Sequence, residues 1–128
     1  MITKIVTQRQ GKYDRYLLHI PATVIKTSGL STVFVEWVVG DSNTIELWFH
    51  GHEPPTHDSL ITKVTALYPT GVKTVIHYRT TVPKDIVNIM KLFNSRLEWA
   101  LVSPRIYRLT VIRPKAKVVE GVDEKGGK

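Results

Sequence analysis

Cysteine is absent from the 128-residue sequence, so disulfide bonds, thiolate catalysis and cysteine-based zinc sites are excluded. Long hydrophobic runs are absent too, and no stretch approaches the length of about 18 apolar residues that a membrane-spanning helix needs. Residues 1–7 lack the charged-then-apolar pattern of a secretory signal. We therefore expect a cytoplasmic protein with no membrane association and the composition of an ordinary globular domain.

Signatures of catalysis are missing as well. The sequence contains no Gly-x-Ser-x-Gly, no phosphate-cradling glycine loop and no His-Glu-x-x-His. His50, His52 and His57 have a spacing compatible with metal binding, but they lie in a proline-rich stretch without packed side chains to orient them. We therefore expect no enzymatic activity, no metal site and no cofactor.

Acidic residues are outnumbered, since 11 Asp and Glu against 18 Lys and Arg leave a net charge of +7. Such a surplus favours a polyanionic partner, although solubility alone would also account for it. In the first fifty residues most basic side chains precede most acidic ones: Lys4, Arg9, Lys12 and Arg15, then Glu36, Asp41 and Glu46. This separation indicates one basic face, which phosphate binding requires.

The same pattern occurs twice in the chain. Residues 16–21 (YLLHIP) recur as 78–83 (YRTTVP), and residues 35–37 (VEW) recur as 97–99 (LEW), both at a separation of 62. The segment ITKIV at residue 2 recurs as ITKVT at residue 61, a separation of 59. We interpret the chain as a tandem repeat. Its parts are copy one (1–50), a linker (51–59), copy two (60–112) and a disordered tail (113–128).

The sequence of each copy predicts, in order, a strand, a loop, a strand, a short helix, a strand, a turn and a strand. Branched and aromatic runs indicate the strands, and a proline suits the first helical position. The expected strands are 2–7, 15–20, 32–39 and 44–49 in copy one, and 61–67, 73–82, 95–102 and 105–112 in copy two. The expected helices are 22–28 and 83–92, and the polar residues 8–14 are expected to form a loop.

One copy of about 50 residues buries little surface by itself. The apolar strands at 33–39 and 97–102 each need a partner layer, and the other copy is the obvious one. The sequence therefore predicts a mainly β fold with two short helices, in which the copies form one body by interleaving strands. We expect a monomer that acts as an intramolecular pseudo-dimer.

Several short motifs resemble the AbrB/MazE/SpoVT-like family of swapped-hairpin DNA-binding domains. Residues 20–24 (IPATV) look like the Ile-Pro-Ala-Thr-Leu segment of MazE-type antitoxins, and Gly29-Leu30 looks like the Gly-Leu that closes the family's helix. Residues 40–42 (GDS) stand where the family has an acidic turn, and in copy two residues 82–87 (VPKDIV) look like the family's Ile-Pro-Lys-Glu-Val pattern. The resemblance implies a tandem swapped-hairpin β-barrel pseudo-dimer.

The resemblance also implies function. It points to a DNA-binding transcriptional regulator or architectural protein acting on double-stranded DNA. The positions that match the family's basic contacts are Arg9, Lys12 and Arg15 in copy one and, more loosely, Lys73 and Arg79 in copy two; Lys4 and Lys63 complete the predicted set. The family's Arg before Ile-Pro is replaced by His19 and Thr81, so we expect two unequal half-surfaces.

A protein-interaction module is the alternative function. Antitoxins similar to this family wrap a protein partner with a disordered C-terminal tail. Here the tail is short, and its apolar anchors are few, namely Val118, Val119 and Val122. A protein partner therefore stays open as a second hypothesis beside DNA.

Overall fold

The computed structural model describes residues 1–54, 60–68 and 76–114. Most of the predicted tail and the linker residues 55–59 lie outside the described residues. No helix in the described ranges has the length and apolar character needed to cross a membrane.

The fold is mainly β with two short helices, as predicted. Its elements in chain order are β1 (Ile2–Gln10), β2 (Tyr13–Ile20), α1 (Ala22–Ser28), β3 (Phe34–Val39), β4 (Thr44–His50), β5 (Ile61–Lys63), β6 (Thr65–Leu67), β7 (His77–Thr81), α2 (Lys84–Met90), β8 (Arg96–Ser103) and β9 (Ile106–Ile112).

The nine strands form one nearly closed, barrel-like sheet in the order β5-β3-β4-β9-β8-β1-β2-β7-β6. The two outermost strands, β5 and β6, are successive parts of one extended segment that changes partner at Val64. Thr80 Oγ1 on β7 lies 2.6 Å from Thr62 Oγ1 and 3.0 Å from the carbonyl oxygen of Lys63 on β5. These contacts draw the two edges of the sheet together.

The first strand of each copy pairs with the third strand of the other copy. In β1, Ile2 and Lys4 lie opposite Glu98 and Arg96 of β8. In β5 the corresponding residues of copy two, Ile61 and Lys63, lie opposite Glu36 and Phe34 of β3. Adding 59 to the β1 residue numbers and subtracting 62 from the β8 residue numbers converts the first set of pairs into the second. The two pairings therefore have the same register. The strands of the two copies are therefore interleaved.

Two residue pairs lie at the centre of this exchange. Leu18 of β2 lies opposite Thr80 of β7, and Glu46 of β4 lies opposite Arg108 of β9. Both pairs are separated by 62 in the sequence, so each residue faces its own counterpart. The pairings on either side of each pair map onto each other by the same exchange of residues.

Both copies contribute to a single hydrophobic core inside the sheet. It contains Trp37 from copy one, Trp99 from copy two and the apolar faces of both helices. The indole Nε1 of Trp37 donates to Thr62 Oγ1 at 2.9 Å, and that of Trp99 donates to Thr3 Oγ1 at 2.7 Å. Each tryptophan is thus bound to the first strand of the other copy.

Each helix begins directly after a proline, Pro21 or Pro83, and both prolines have a φ of −58°. Helix α1 ends at Gly29, with a left-handed φ of 70°. The predicted second helix is shorter than expected, because Lys91 is already left-handed with a φ of 52°. Lys91 bears the steric cost of a Cβ in this conformation, which Gly29 avoids.

The predicted loop at residues 8–14 is wrong. Strand β1 continues to Gln10 and β2 begins at Tyr13, so a two-residue turn joins them. Gly11 has a φ of 59°, and a glycine at the first turn position suits the tight hairpin turns that match strand twist. Hydrogen bonds between β1 and β2 hold the polar residues near the turn in an extended conformation. The sequence pattern did not reveal this strand pairing.

Candidate nucleic-acid interface

The β1–β2 hairpin projects from the body of the protein. Every residue from Val6 to Asp14 is exposed. Arg9 lies opposite Asp14 near its end, and Arg9 Nε donates to the Gly11 carbonyl oxygen at 3.4 Å. Lys12 occupies the turn itself. The hairpin is therefore a two-stranded ribbon with basic residues at its tip.

Strand alternation separates the core face of this region from its outer face. Ile5 and Leu18 lie opposite each other and belong to the core, so their neighbours Val6 and Leu17 point outward. Arg15 shares the outer face with Leu17, since the two residues are two positions apart along β2. The same alternation assigns the odd-numbered residues of β7 to the outer face.

Strand β7 extends this outer face across β2. Arg79 lies opposite His19, and Thr81 lies opposite Leu17. Leu17 is only 3% exposed although it points away from the core. Arg15 and Arg79 are half-buried, and their Nε atoms are shielded from solvent without a hydrogen-bond partner among the described residues. The two arginines are thus held close to the sheet surface on either side of Leu17.

The charges on the sheet divide into two sides. The hairpin with β7 carries five basic residues and one acid, Asp14: Lys4, Arg9, Lys12, Arg15 and Arg79. The remaining strands carry three carboxylates, on β3, β4 and β8, and three cations: Lys63, Arg96 and Arg108. Two of the carboxylates are paired, Glu36 with His50 at 2.9 Å and Glu46 with Arg108 at 3.4 Å. The basic side therefore retains more uncompensated charge.

Comparison with family models, curated proteins and solved structures finds no match to this chain.

The structure brings some of the predicted contact residues together and separates others. Arg9, Lys12 and Arg15 share the hairpin, and Arg79 lies on the neighbouring outer face. Lys63 lies apart on β5, with its Nζ 6.0 Å from the centre of the Phe34 ring. Lys73 lies outside the described residues, so its predicted role stays a prediction.

Three features of this region were not predicted. Lys84 of α2 places its Nζ 5.4 Å from the ring centre of Tyr13, a cation–π contact between the second helix and the hairpin. Arg96 of β8 lies directly opposite Lys4. Arg113 follows β9 and lies near the same end of the sheet. Each depends on contacts between copies, and only the repeat itself hinted that such contacts exist.

Proposed function

We propose that this protein binds duplex DNA through the β1–β2 hairpin and the outer face of β2 and β7, as a transcriptional regulator or architectural protein. The observation that carries the proposal is the one-sided charge: five basic residues and one acid on the hairpin and β7, with the carboxylates of β3, β4 and β8 elsewhere on the sheet. Strand alternation places Lys4, Arg15 and Arg79 on the outer face, and basic side chains on one face contact phosphates and position the protein on the duplex. Arg9 lies opposite Asp14 on the other face of the ribbon, near its tip.

The dimensions of the hairpin fit this role. The major groove is about 12 Å wide and about 8.5 Å deep, and it admits a two-stranded β-ribbon. From Val6 to Gln10 an extended strand rises about 14 Å, at about 3.4 Å per residue. The exposed tip with Arg9 and Lys12 is therefore long enough to enter the groove while Arg15 and Arg79 contact the backbone.

We further propose that the fold is an intramolecular pseudo-dimer of two swapped-hairpin units. The exchange of first strands between the copies and the self-facing pairs Leu18–Thr80 and Glu46–Arg108 support this interpretation. A monomeric mass in light scattering, constant with concentration, is expected because each copy already pairs with the other. A dimeric mass at all concentrations would contradict it.

Fluorescence anisotropy of a labelled duplex, titrated at several salt concentrations, tests DNA binding. We expect log affinity to fall linearly with log salt, because each phosphate contact releases counterions at a slope of about 0.9. If the affinity did not change with salt concentration, the proposed phosphate contacts would be ruled out. No binding at about 50 mM salt would reject the general DNA-binding role.

A protein-binding role is the second candidate, and exposed apolar side chains favour it. Ile89 of α2 and the nearby Phe93 are largely exposed, as are Leu101 and Val102 at the end of β8. Exposed apolar residues that cluster mark sites for partners more often than isolated ones do. If the duplex titration shows no binding, these side chains become the first surface to mutate.

A further inference from the structure

A basic cleft lies beside the proposed DNA surface, where β1, β8 and the end of β9 run side by side. Its volume is about 240 Å³, and it is lined by Lys4, Asn94, Arg96, Ile112, Arg113 and Pro114. The lining contains three cationic side chains and no carboxylate. A cleft lined in this way favours an anionic ligand.

Lys4 and Arg96 make this cleft electrostatically unusual. They lie directly opposite each other on adjacent antiparallel strands and point to the same outer face. Like charges in that position destabilise a sheet. Neither side chain forms an ion pair within the part of the chain that the structure describes. An anion between them would turn this repulsion into attraction.

Arg113 adds a positive charge whose position is fixed. Its guanidinium donates to Asn43 Oδ1, to the Ser42 carbonyl oxygen and to the Met90 carbonyl oxygen, each at 2.7 Å. All three acceptors are neutral, so they orient the group without cancelling its charge. An arginine held in this way binds an oxyanion without first losing conformational entropy.

We propose that this cleft binds a phosphate group. The Arg96 guanidinium can donate two parallel hydrogen bonds to phosphate oxygens. Both Nη2 hydrogens of Arg113 are already donated to the Ser42 and Met90 carbonyl oxygens, so Arg113 adds charge and single hydrogen bonds, and the Lys4 ammonium adds a point charge. The volume is below the range of about 300–1,000 Å³ typical of sites for larger organic ligands, which favours a compact anion. The ligand is either a backbone phosphate of nucleic acid, in which case the inference rests on the proposed function, or a free phosphate.

The contact between β5 and β3 corresponds to the contact between β1 and β8, and it provides an internal comparison. Lys63 corresponds to Lys4, Phe34 replaces Arg96, and Gly51 stands at the position that corresponds to Arg113. One cation remains where the cleft has three. The phosphate site is therefore expected only beside β1 and β8, and not beside β5 and β3.

Titration with inorganic phosphate at constant ionic strength, with chloride as the reference anion, tests the cleft without DNA. We expect saturable shifts of the backbone amide NMR signals of Asn94, Arg96 and Arg113, and none at Lys63. Arg96→Ala should abolish saturation, since it removes one charge from an exposed strand position. Lys26→Ala removes an equal charge from the exposed surface of α1 and should change nothing.

Shifts that rise linearly with phosphate, or that survive Arg96→Ala, would overturn the proposal, because they describe only a diffuse ion atmosphere. The salt dependence of duplex binding then identifies the source of the phosphate. If the ligand is a DNA phosphate, Arg96→Ala lowers the salt slope by about 1. If Arg96→Ala leaves the salt slope unchanged while the wild-type protein binds inorganic phosphate, the ligand of the cleft is a free phosphate. If the wild-type protein binds no duplex, the proposed function fails, while the phosphate titration still decides the cleft.

Discussion

Trp37 of copy one and Trp99 of copy two make the same contact in the core, whereas the outward positions of the two copies differ. Each indole binds a threonine on the first strand of the other copy. On the outer surface, corresponding positions carry different residues: Arg96, Lys4, His19 and Arg79 in one half, and Phe34, Lys63, Thr81 and Leu17 in the other. Two residues of the cationic half, Lys4 and Arg96, line the proposed phosphate-binding cleft, and the other half keeps a single cation.

This difference has a physical cause. A core residue such as Trp99 contacts both copies, so changing it disturbs the packing of the whole molecule. An outer residue such as Phe34 contacts few neighbours, and surface substitutions usually change stability by less than about 0.5 kcal/mol. The two copies can therefore keep one fold while only one half of the outer surface, built from both copies, gathers positive charge. Unequal half-surfaces fit an asymmetric DNA site better than a palindromic one.

The largest expected effect tests whether the two tryptophans contribute equally to the shared core. Trp37→Ala and Trp99→Ala should each lower the free energy of unfolding by about 3–5 kcal/mol, because each opens a cavity and leaves a threonine hydroxyl without its donor. Urea denaturation followed by circular dichroism measures both. Trp→Phe at the same two positions provides a milder pair if either alanine variant does not fold. Losses that differ by more than about 2 kcal/mol would show that the two tryptophan positions are not equivalent.

The second prediction concerns the basic hairpin. Arg9→Ala combined with Arg15→Ala should lower the salt slope of duplex binding by about 2, because two phosphate contacts are lost. The fold should remain intact, since neither side chain belongs to the hydrophobic core. The control combines Lys26→Ala with Arg108→Ala, which removes the same charge away from the hairpin. Equal salt slopes of duplex binding for the two double variants would show that the effect comes from net charge alone and not from the hairpin.

The third prediction is a gain in copy one. Phe34→Arg gives copy one the residue type that copy two has at position 96, directly opposite Lys63. We expect the salt slope of duplex binding to rise by up to about 1, because the weaker half-surface gains a phosphate contact. Phe34→Gln controls for loss of the ring without added charge. A slope that does not change would place this half of the outer face away from the DNA.

The smallest expected effect compares the two β-turns. The Asn43 backbone N–H and the Thr44 hydroxyl donate to Asp41 Oδ1 at 2.8 Å and 3.0 Å, and they lower the pKa of this carboxyl from its ordinary value of 3.8. A lowered folded pKa stabilises the fold above the unfolded pKa, and this contribution is lost as pH falls through the folded pKa. Copy two has Ser103 at the corresponding position, which does not titrate there.

Carbon-detected NMR titration of Asp41 should therefore give a midpoint below 3.8. The stability difference between wild type and Asp41→Ala should shrink as pH falls below that value, whereas the difference between wild type and Ser103→Ala should not depend on pH. A midpoint at or above 3.8 would show that the turn hydrogen bonds do not persist in solution.

Much of the secondary structure followed from the local sequence. Pro21 and Pro83 marked the helix starts to within one residue. Each proline precedes its helix with an extended ψ of 139° or 136°, so neither occupies the first helical position that the sequence suggested. The exposed residues 8–14 were mistaken for a loop, because polar strands outside a core have no apolar alternation to identify them. Of the predicted contact residues, the structure brings Arg9, Lys12 and Arg15 together on the hairpin and places Lys63 apart from them, and their role in binding stays a prediction.

The sequence by itself determined that the chain has two related copies, where their helices begin and which strands are apolar enough to need a partner. It also determined which face each residue of a strand shares, since side chains alternate with a period of two. Only the tertiary structure decided that Lys4 lies opposite Arg96 and that neutral acceptors fix Arg113 beside them. The physical reason is that strand partners distant in the chain are selected by packing of the whole molecule, and no local pattern specifies them.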